Sequence, residues 1–337
     1  MKNMKKILFF SLLLLSYVVV NAQGSVSATL HHDGEFKIFF SSSALEEALA
    51  EAQLGDVINL SAGSFNAPTI KVPVTIRGAG IGSLEGNGSY SPYKTQILNS
   101  FYINIPEDEE NYTLSMEGII CEKIIYITSL VDGMFSKMVF NGDVANYSSN
   151  PVINNLTFFH CVFNESINLK GTAQFQNSVF NKGIRMTSFS SGTTLDMNNC
   201  IFSGISSTYK LDSSYITYTN CIFDISGYPS ESFSNSPCYN CLCIGGDENS
   251  FGNTNTQVER NNRVLPADSQ AFVDNSFFKL TDTAASYLGI DGTQVGIYGG
   301  AYPFSAKTSY PQLKSFSVAS ESTSDGKLMI EFEIDVE

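Results

Sequence analysis

Few side chains in this sequence have the types and spacing of a reactive centre. The closest group is the run Cys238-Tyr-Asn-Cys241-Leu-Cys243. Thiolates at this spacing could bind zinc, but zinc normally takes four ligands and no fourth Cys or His lies nearby in the sequence. We therefore predict a disulfide between two of these three cysteines, with free thiols as the first alternative and a metal site as the second. No metal site is assigned.

The carboxylates and histidines do not form a recognisable catalytic group either. Residues 107–110 are four adjacent carboxylates after a proline, a pattern typical of a solvated loop. His160 lies inside a repeated segment, where a structural role at a bend is favoured. No nucleophile triad is predicted.

Four central segments share the pattern apolar-x-apolar-x-Asn-Cys-(Val/Ile)-Phe. His160 replaces Asn once, and Ser178 replaces Cys once. Successive units lie 17, 22 and 21 residues apart, a period typical of a β-solenoid in which each unit forms one coil. We therefore predict an all-β chain that folds as a right-handed parallel β-helix of about ten coils.

Strand alternation assigns each repeated residue to the inside or the outside of this helix. The phenylalanines that end the four units should stack inside as a ladder, with the cysteines also inward. The preceding asparagines fall at a bend, where Asn tolerates the left-handed conformation and can hydrogen-bond from coil to coil. The predicted structural ladders are Phe163, Phe180, Phe202 and Phe223, with Asn177, Asn199 and Asn220.

Two columns of outward residues follow from the same alternation. The apolar column is Val162, Val179, Ile201 and Ile222. It is either an exposed face of β-forming residues or a contact surface covered by a loop or a partner. The polar column is the predicted binding surface, and its residues are Gln174, Gln176, Asp196, Asn198, Thr217 and Thr219.

The ends of the chain differ from its centre. A basic start, an apolar run over residues 7–20 and small residues up to Ala22 predict a signal peptide over residues 1–22, with a retained N-terminal anchor as the alternative. Residues 23–304 are assigned to the β-helix, with a helical cap at residues 43–53 and a capping box from Ser43 to Glu46. Residues 305–337 form a tail that we predict to be a β-hairpin around residues 324–326.

The excess of acidic residues limits the classes of partner that the protein is expected to bind. The chain has 19 basic and 33 acidic residues, and removing the leader removes three lysines. Such a surface repels nucleic acid and anionic membranes. We predict a secreted protein, located in the periplasm, on the cell surface or outside the cell. We expect no membrane span after signal-peptide cleavage and no nucleic-acid partner, and a polysaccharide is the candidate partner.

Two phrases carry a resemblance to known proteins. The first, which includes Leu54-Gly-Asp-Val-Ile-Asn-Leu60 and Val72-Pro-Val-Thr-Ile-Arg-Gly-Ala-Gly80, resembles the N-terminal cap and first coil of pectate-lyase-like β-helix proteins. The second, Gly292-Thr-Gln-Val-Gly-Ile-Tyr-Gly-Gly300, resembles a closing segment of secreted β-helix proteins of Bacteroidetes. The resemblance covers residues 36–304. It implies the fold but no single activity, because this fold serves lyases, hydrolases, adhesins and spacers.

The resemblance also supplies a test for catalysis. Pectate lyases need carboxylates that hold Ca²⁺ and a basic residue, usually Arg, that abstracts a proton. Arg185 and Asp196 are the only candidates for such a pair, and Ca²⁺ would be the cofactor in that case. The Asn-Thr-Asp, Asp-Asp and Gly-His-Gly motifs of polygalacturonase-like hydrolases do not occur.

The sequence is therefore compatible with three functions. The first is non-catalytic glycan binding or presentation at the cell surface, without a cofactor. The second is a lyase or glycoside hydrolase that acts on uronate-containing polysaccharide. The third is a structural or adhesive surface protein that uses the apolar column.

Overall fold

The repeated segments stack as coils of a parallel β-solenoid with about eight turns. The computed structural model that shows this architecture describes residues 26–82, 94–106, 112–147, 152–182, 184, 192–204, 211–227, 233–247, 249–252, 260–274, 276–309, 312–318 and 330–335. The predicted all-β parallel β-helix is confirmed, with about eight turns instead of ten. The signal peptide predicted for residues 1–22 lies outside the described residues.

A sheet of fourteen strands carries the longer strands of the coils. Its strands pair in parallel, except that β1 runs antiparallel to β2 and β3 at the N-terminal end. The members are β1 (Ser27–His32), β2 (Glu35–Phe40), β3 (Val57–Leu60), β5 (Thr75–Arg77), β7 (Phe101–Asn104), β8 (Leu114–Glu117), β10 (Ile125–Ser136), β12 (Val144–Asn146), β13 (Val152–Phe159), β15 (Ile167–Asn168), β16 (Thr172–Gln176), β18 (Thr194–Asn198), β20 (Ile216–Thr219) and β22 (Cys238–Tyr239).

A parallel sheet of ten short strands forms a second side of the solenoid. Its members are β4 (Gly63–Phe65), β6 (Thr95–Ile97), β9 (Ile119–Cys121), β11 (Val139–Phe140), β14 (Val162–Phe163), β17 (Val179–Phe180), β19 (Ile201–Phe202), β21 (Ile222–Asp224), β23 (Leu242–Ile244) and β24 (Arg263–Leu265). In the tail, β25 (Gln312–Val318) pairs with β26 (Ile330–Asp335) as the predicted antiparallel hairpin.

A short helix, α1 (Ala44–Glu51), packs against the first strands at the N-terminal end of the solenoid. Its apolar face buries Ala44, Leu45 and Ala48. The predicted capping box is wrong, because the Ser43 side chain makes no capping hydrogen bond. Ser43 sits near the helical region of backbone space, and its own N–H donates to Ser41 Oγ at 3.1 Å.

The phenylalanines at the ends of the repeats stack through the centre of the core. The ring centroids of Phe163 and Phe180 are 4.9 Å apart, those of Phe180 and Phe202 are 4.6 Å apart, and those of Phe202 and Phe223 are 5.3 Å apart. The rings lie within 18° of parallel, and none is more than 1% exposed. In-register parallel pairing causes this stack, since it places each residue above its equivalent in the previous coil.

The bend that follows the long strands has a left-handed residue in successive coils. Its φ values are 55° at His160, 46° at Asn177, 52° at Asn199 and 54° at Asn220. Asparagine is the non-glycine residue that adopts this conformation at least cost. The repeated asparagine therefore turns the chain from the long strand into the short one.

The solenoid continues through a region where the sequence pattern fades. Residues 228–263 are expected to form a loop or an irregular coil, yet β22 pairs with β20 and β23 pairs with β21. Asn240 and Asn261 repeat the left-handed bend, with φ values of 51° and 57°. The expectation fails because Cys243 stands where the five preceding coils have Phe, and it lies opposite Phe223 in the register. Cys243 still fills the inward position, so this coil keeps its pairing without an aromatic ring.

Candidate functional site

The apolar column is not a free surface. Val162, Val179, Ile201 and Ile222 are at most 3% exposed. They form a second apolar cluster with residues of a C-terminal segment over residues 271–309, which we call the strap. The strap supplies Val295, Ile297 and Phe304 among others. The sequence predicts that the β-helix resumes between Leu265 and Phe304, but most of this stretch covers the outside of earlier coils.

The bend asparagines bind the strap. Asn177 Nδ2 donates to the carbonyl oxygens of Ile297 at 2.9 Å and Gly299 at 2.8 Å. Asn220 Oδ1 accepts from the Ile290 N–H at 2.9 Å. The asparagines of this bend were predicted to hydrogen-bond to one another from coil to coil. Among the described residues of the bend, that bond occurs once, as a long contact of 3.4 Å from Asn220 Nδ2 to Asn199 Oδ1. These side chains act mainly as a docking row, because the strap runs within hydrogen-bond distance of the bend.

The strap reaches back towards the N-terminal coils. His160 Nε2 lies 3.0 Å from the carbonyl oxygen of Tyr302, and the Ser309 N–H donates to Glu117 Oε1 at 2.6 Å. Gly296 permits the close approach at the middle of this path. Its φ is +79°, and a Cβ there would lie 2.5 Å from Ile222 Cδ1. The apolar column is therefore an intramolecular contact surface, which removes it as an adhesive face.

A continuous amide ladder does run from coil to coil, but at the other bend. It consists of the residue that follows the inward Phe or its equivalent. Asn164 Nδ2 donates to Asn141 Oδ1, and Asn181 Nδ2 donates to Asn164 Oδ1, both at 2.7 Å. Glu122 Oε2 accepts from Asn141 at one end, and the Ser203 hydroxyl donates to Asn181 at the other. This ladder is not among the sequence predictions, although Asn164 and Asn181 follow Phe in the repeats.

The seven cysteines are all free and buried. The predicted disulfide among Cys238, Cys241 and Cys243 is therefore absent from the structure. Strand alternation explains this arrangement, because these residues are the inward positions of one coil and fill core space as small apolar groups. The Cys241 thiol donates to the carbonyl oxygen of Tyr239 at 3.4 Å.

We expect the native protein to show no thiol that reacts with Ellman's reagent and the denatured protein to show all seven. Burial raises the pKa of Cys161 to about 12 and that of Cys243 to about 12. Cys161 and Cys243 therefore carry very little thiolate, the reactive form, in mildly alkaline buffer, and burial shields all seven thiols from the reagent. The measurement is absorbance with and without guanidinium, without a reducing agent. Two missing thiols in the denatured sample would reveal a disulfide and contradict the structure.

The polar column lies on the outer side of the long strands. We call its six residues, Gln174, Gln176, Asp196, Asn198, Thr217 and Thr219, the polar face. The sheet register arranges them in two rows: Gln174, Asp196 and Thr217 in one, and Gln176, Asn198 and Thr219 in the other. Neighbours in a row are about 4.8 Å apart along the solenoid axis. The result is a flat, regular array of amide, carboxyl and hydroxyl groups.

The side chains of the polar face make no hydrogen bond to other described parts of the chain. This separates them from the amides of both bends, whose bonds are taken up within the protein. Gln174 is exposed, and the other five side chains are half-buried. Their donors and acceptors are held by a rigid sheet and are open to a ligand.

Aromatic side chains stand at both ends of one row. Phe159 precedes Gln176 in the register, and Tyr239 follows Thr219. The guanidinium of Arg260 lies 5.1 Å from the ring centroid of Tyr239, at a cation–π distance. At the other end, the ring of Phe159 is 6.2 Å from that of Tyr302, a strap residue that is 69% exposed.

The candidate catalytic pair is not brought together by the described residues. Arg185 lies outside them, so the pair of Arg185 and Asp196 stays a sequence prediction. In the register, Asp196 stands between Gln174 and Thr217, neither of which is a carboxylate. Within the described ranges, no group of three or more His, Cys, Asp or Glu residues could hold a metal ion.

No protein-family model, curated protein or solved structure matches this chain. Of the predicted resemblance, the structure shows the parallel β-solenoid. The helices in the described part of the chain are too short or too polar to cross a membrane.

Proposed function

We propose that this chain is a secreted, non-catalytic protein that binds a neutral glycan along the polar face. One observation carries the proposal: six polar side chains form a regular outward array and none is bonded within the described chain. Buried or packed amides normally find partners inside a protein. A sugar chain offers hydroxyl groups that both donate and accept, so it can satisfy amide and hydroxyl rows together.

Charge favours a neutral ligand. The chain has a net charge of −14, and Asp196 is the only ionisable residue among the six of the polar face. An acidic surface repels polyanions such as uronate polymers. Glycan binding by these rows should therefore depend little on salt, since hydrogen bonds between neutral groups carry it.

A non-catalytic role accords with the surroundings of Asp196. Glycoside hydrolysis requires two carboxyl groups on either side of one bond, and the register neighbours of Asp196 supply an amide and a hydroxyl. Secretion rests on the predicted signal peptide, which would bring the chain to extracellular glycans.

The test compares the wild-type chain with the double variant Gln176→Ala/Asn198→Ala. We expect the wild type to bind at least one neutral polysaccharide on a glycan array, and the double variant to bind it about tenfold or more weakly, because each lost hydrogen bond contributes about 0.5–1.5 kcal/mol. Isothermal titration calorimetry measures the change. The matched control is Gln270→Ala. Gln270 is exposed, immediately precedes the strap and is not part of the polar face, so this variant should bind the glycan like the wild type.

A release assay on uronate polysaccharides tests the alternative. New unsaturated ends would overturn the non-catalytic assignment and favour a lyase. Failure of the wild type to bind any neutral glycan would overturn the proposed function itself.

A further inference from the structure

Three tyrosines form a surface cluster away from the polar face. Tyr102 on β7 and Tyr126 on β10 are register partners, and their rings stack at 4.9 Å between centroids and 20° between planes. Tyr147, which follows β12, packs edge-on against both, at 5.0 Å from Tyr102 and 5.4 Å from Tyr126. We call these three residues the tyrosine platform.

The platform differs from the aromatic ladder of the core in its exposure. Phe163, Phe180 and their stacked equivalents are at most 1% exposed, whereas Tyr147 is 64% exposed and the other two tyrosines are half-buried. A buried ladder is explained by packing alone. The tyrosine platform instead offers a ring exposed to water beside two further rings, which together provide an aromatic contact surface.

The row that carries the two stacked tyrosines continues with a small and then a polar residue. The position after Tyr126 in the same row is Ala145, followed by Asn168. The stack of Tyr102 and Tyr126 therefore ends at Ala145 in this row. On β7, Asn104 is exposed and lies two residues after Tyr102, so strand alternation places it on the same outward side.

The chemistry of the platform fits a sugar ring. Aromatic rings attract C–H groups through their negative faces, and phenol hydroxyls donate and accept hydrogen bonds. Desolvation raises the pKa of Tyr102, and its hydrogen bond with Tyr147 raises that pKa further. The Tyr102 hydroxyl therefore stays protonated at and above neutral pH, so it remains available as a hydrogen-bond donor.

We propose that the tyrosine platform is a second binding site, which stacks on the C–H face of a neutral hexopyranose in a β-linked glycan. This inference rests on the proposed glycan-binding function and names the sugar class. A β-glucosyl ring suits the platform because its hydroxyls are equatorial, which leaves both ring faces lined by axial C–H bonds. The platform and the polar face lie on different stretches of the coil, separated on β10 by the left-handed residue Asp132.

The experiment titrates cellohexaose and laminarihexaose, two neutral β-glucan oligosaccharides, into the full chain and its variants by calorimetry. We expect Tyr147→Ala to weaken binding about tenfold or more, a loss of about 1.4 kcal/mol. Tyr147→Phe keeps the ring and should stay within about twofold of the wild type. Tyr112→Ala removes another exposed tyrosine, 43% exposed, that lies outside the platform, and should have no effect.

The variants separate the two proposals. Loss of binding in Tyr147→Ala together with unchanged circular dichroism supports the platform, and saturation-transfer NMR should then show ring C–H protons of the sugar in contact with the protein. Wild-type affinity in Tyr147→Ala, with loss in Gln176→Ala/Asn198→Ala, overturns the platform and leaves the proposed function standing. No binding of any neutral glycan by the wild type overturns both.

Discussion

Replacing Ile297 with aspartate is expected to lower the free energy of unfolding by about 4 kcal/mol or more. Ile297 lies in the strap, is fully buried and belongs to the apolar cluster that covers the outer column of the solenoid. A carboxylate there would lose its hydration among apolar side chains. The strap can avoid this cost only by leaving its place, which exposes Ile201 and Ile222 to water.

The matched control is Ile290→Asp in the same strap. Ile290 is 71% exposed, so its replacement should change stability by at most about 0.5 kcal/mol. Urea titration followed by circular dichroism gives both values, and limited proteolysis reports whether the strap has detached. Equal stability of the two variants would mean that the strap does not pack on the solenoid as described.

Truncating Phe180 to alanine is expected to cost about 3–5 kcal/mol of unfolding free energy. Phe180 is fully buried between Phe163 and Phe202, and it also contacts the edge of Phe175 at 5.5 Å between centroids. Removing the ring deletes two stacked contacts and leaves a cavity that the neighbouring coils cannot close. Each coil is held by its own strand pairing, so the lining atoms have little freedom to collapse.

Phe36→Ala provides the comparison for this loss. Phe36 is 69% exposed on the edge strand β2, and its truncation should alter stability by at most about 0.5 kcal/mol. Both variants are measured by urea denaturation under identical conditions. A cost for Phe180→Ala no greater than that for Phe36→Ala would show that the ladder does not stabilise the solenoid.

The polar and apolar rows show which structural features a repeat pattern can predict and which it cannot. The alternation around Gln174, Gln176 and Asn198 is local, and the structure places these residues on one outward face in the predicted rows. The same alternation correctly puts Val179 and Ile201 in one column. The alternation cannot decide whether the apolar column is covered by water or by protein. The strap residue Ile297, which covers it, lies 120 positions after the bend residue Asn177 to which it is hydrogen-bonded.

The coil that contains Cys238 and Cys243 was predicted to be irregular because its local pattern differs from that of the other repeats. The sequence around Cys238 and Cys243 lacks the phenylalanine that marks the earlier repeats, so three cysteines are more conspicuous than the coil they belong to. In the structure, pairing of β23 with β21 continues regardless of the side chain at the inward position, because the backbone hydrogen bonds and the left-handed Asn240 are sufficient to build the turn.

By itself, the sequence determined the coil. Two-residue alternation, a period close to twenty residues and an asparagine at most of the bends are sufficient to specify stacked parallel strands and a phenylalanine ladder, since each acts within one coil or between neighbours. The tertiary structure alone decided what meets across longer separations: the strap on the apolar column, and Tyr102, Tyr126 and Tyr147 in one cluster. Those contacts depend on the path of the whole chain, which no local pattern encodes.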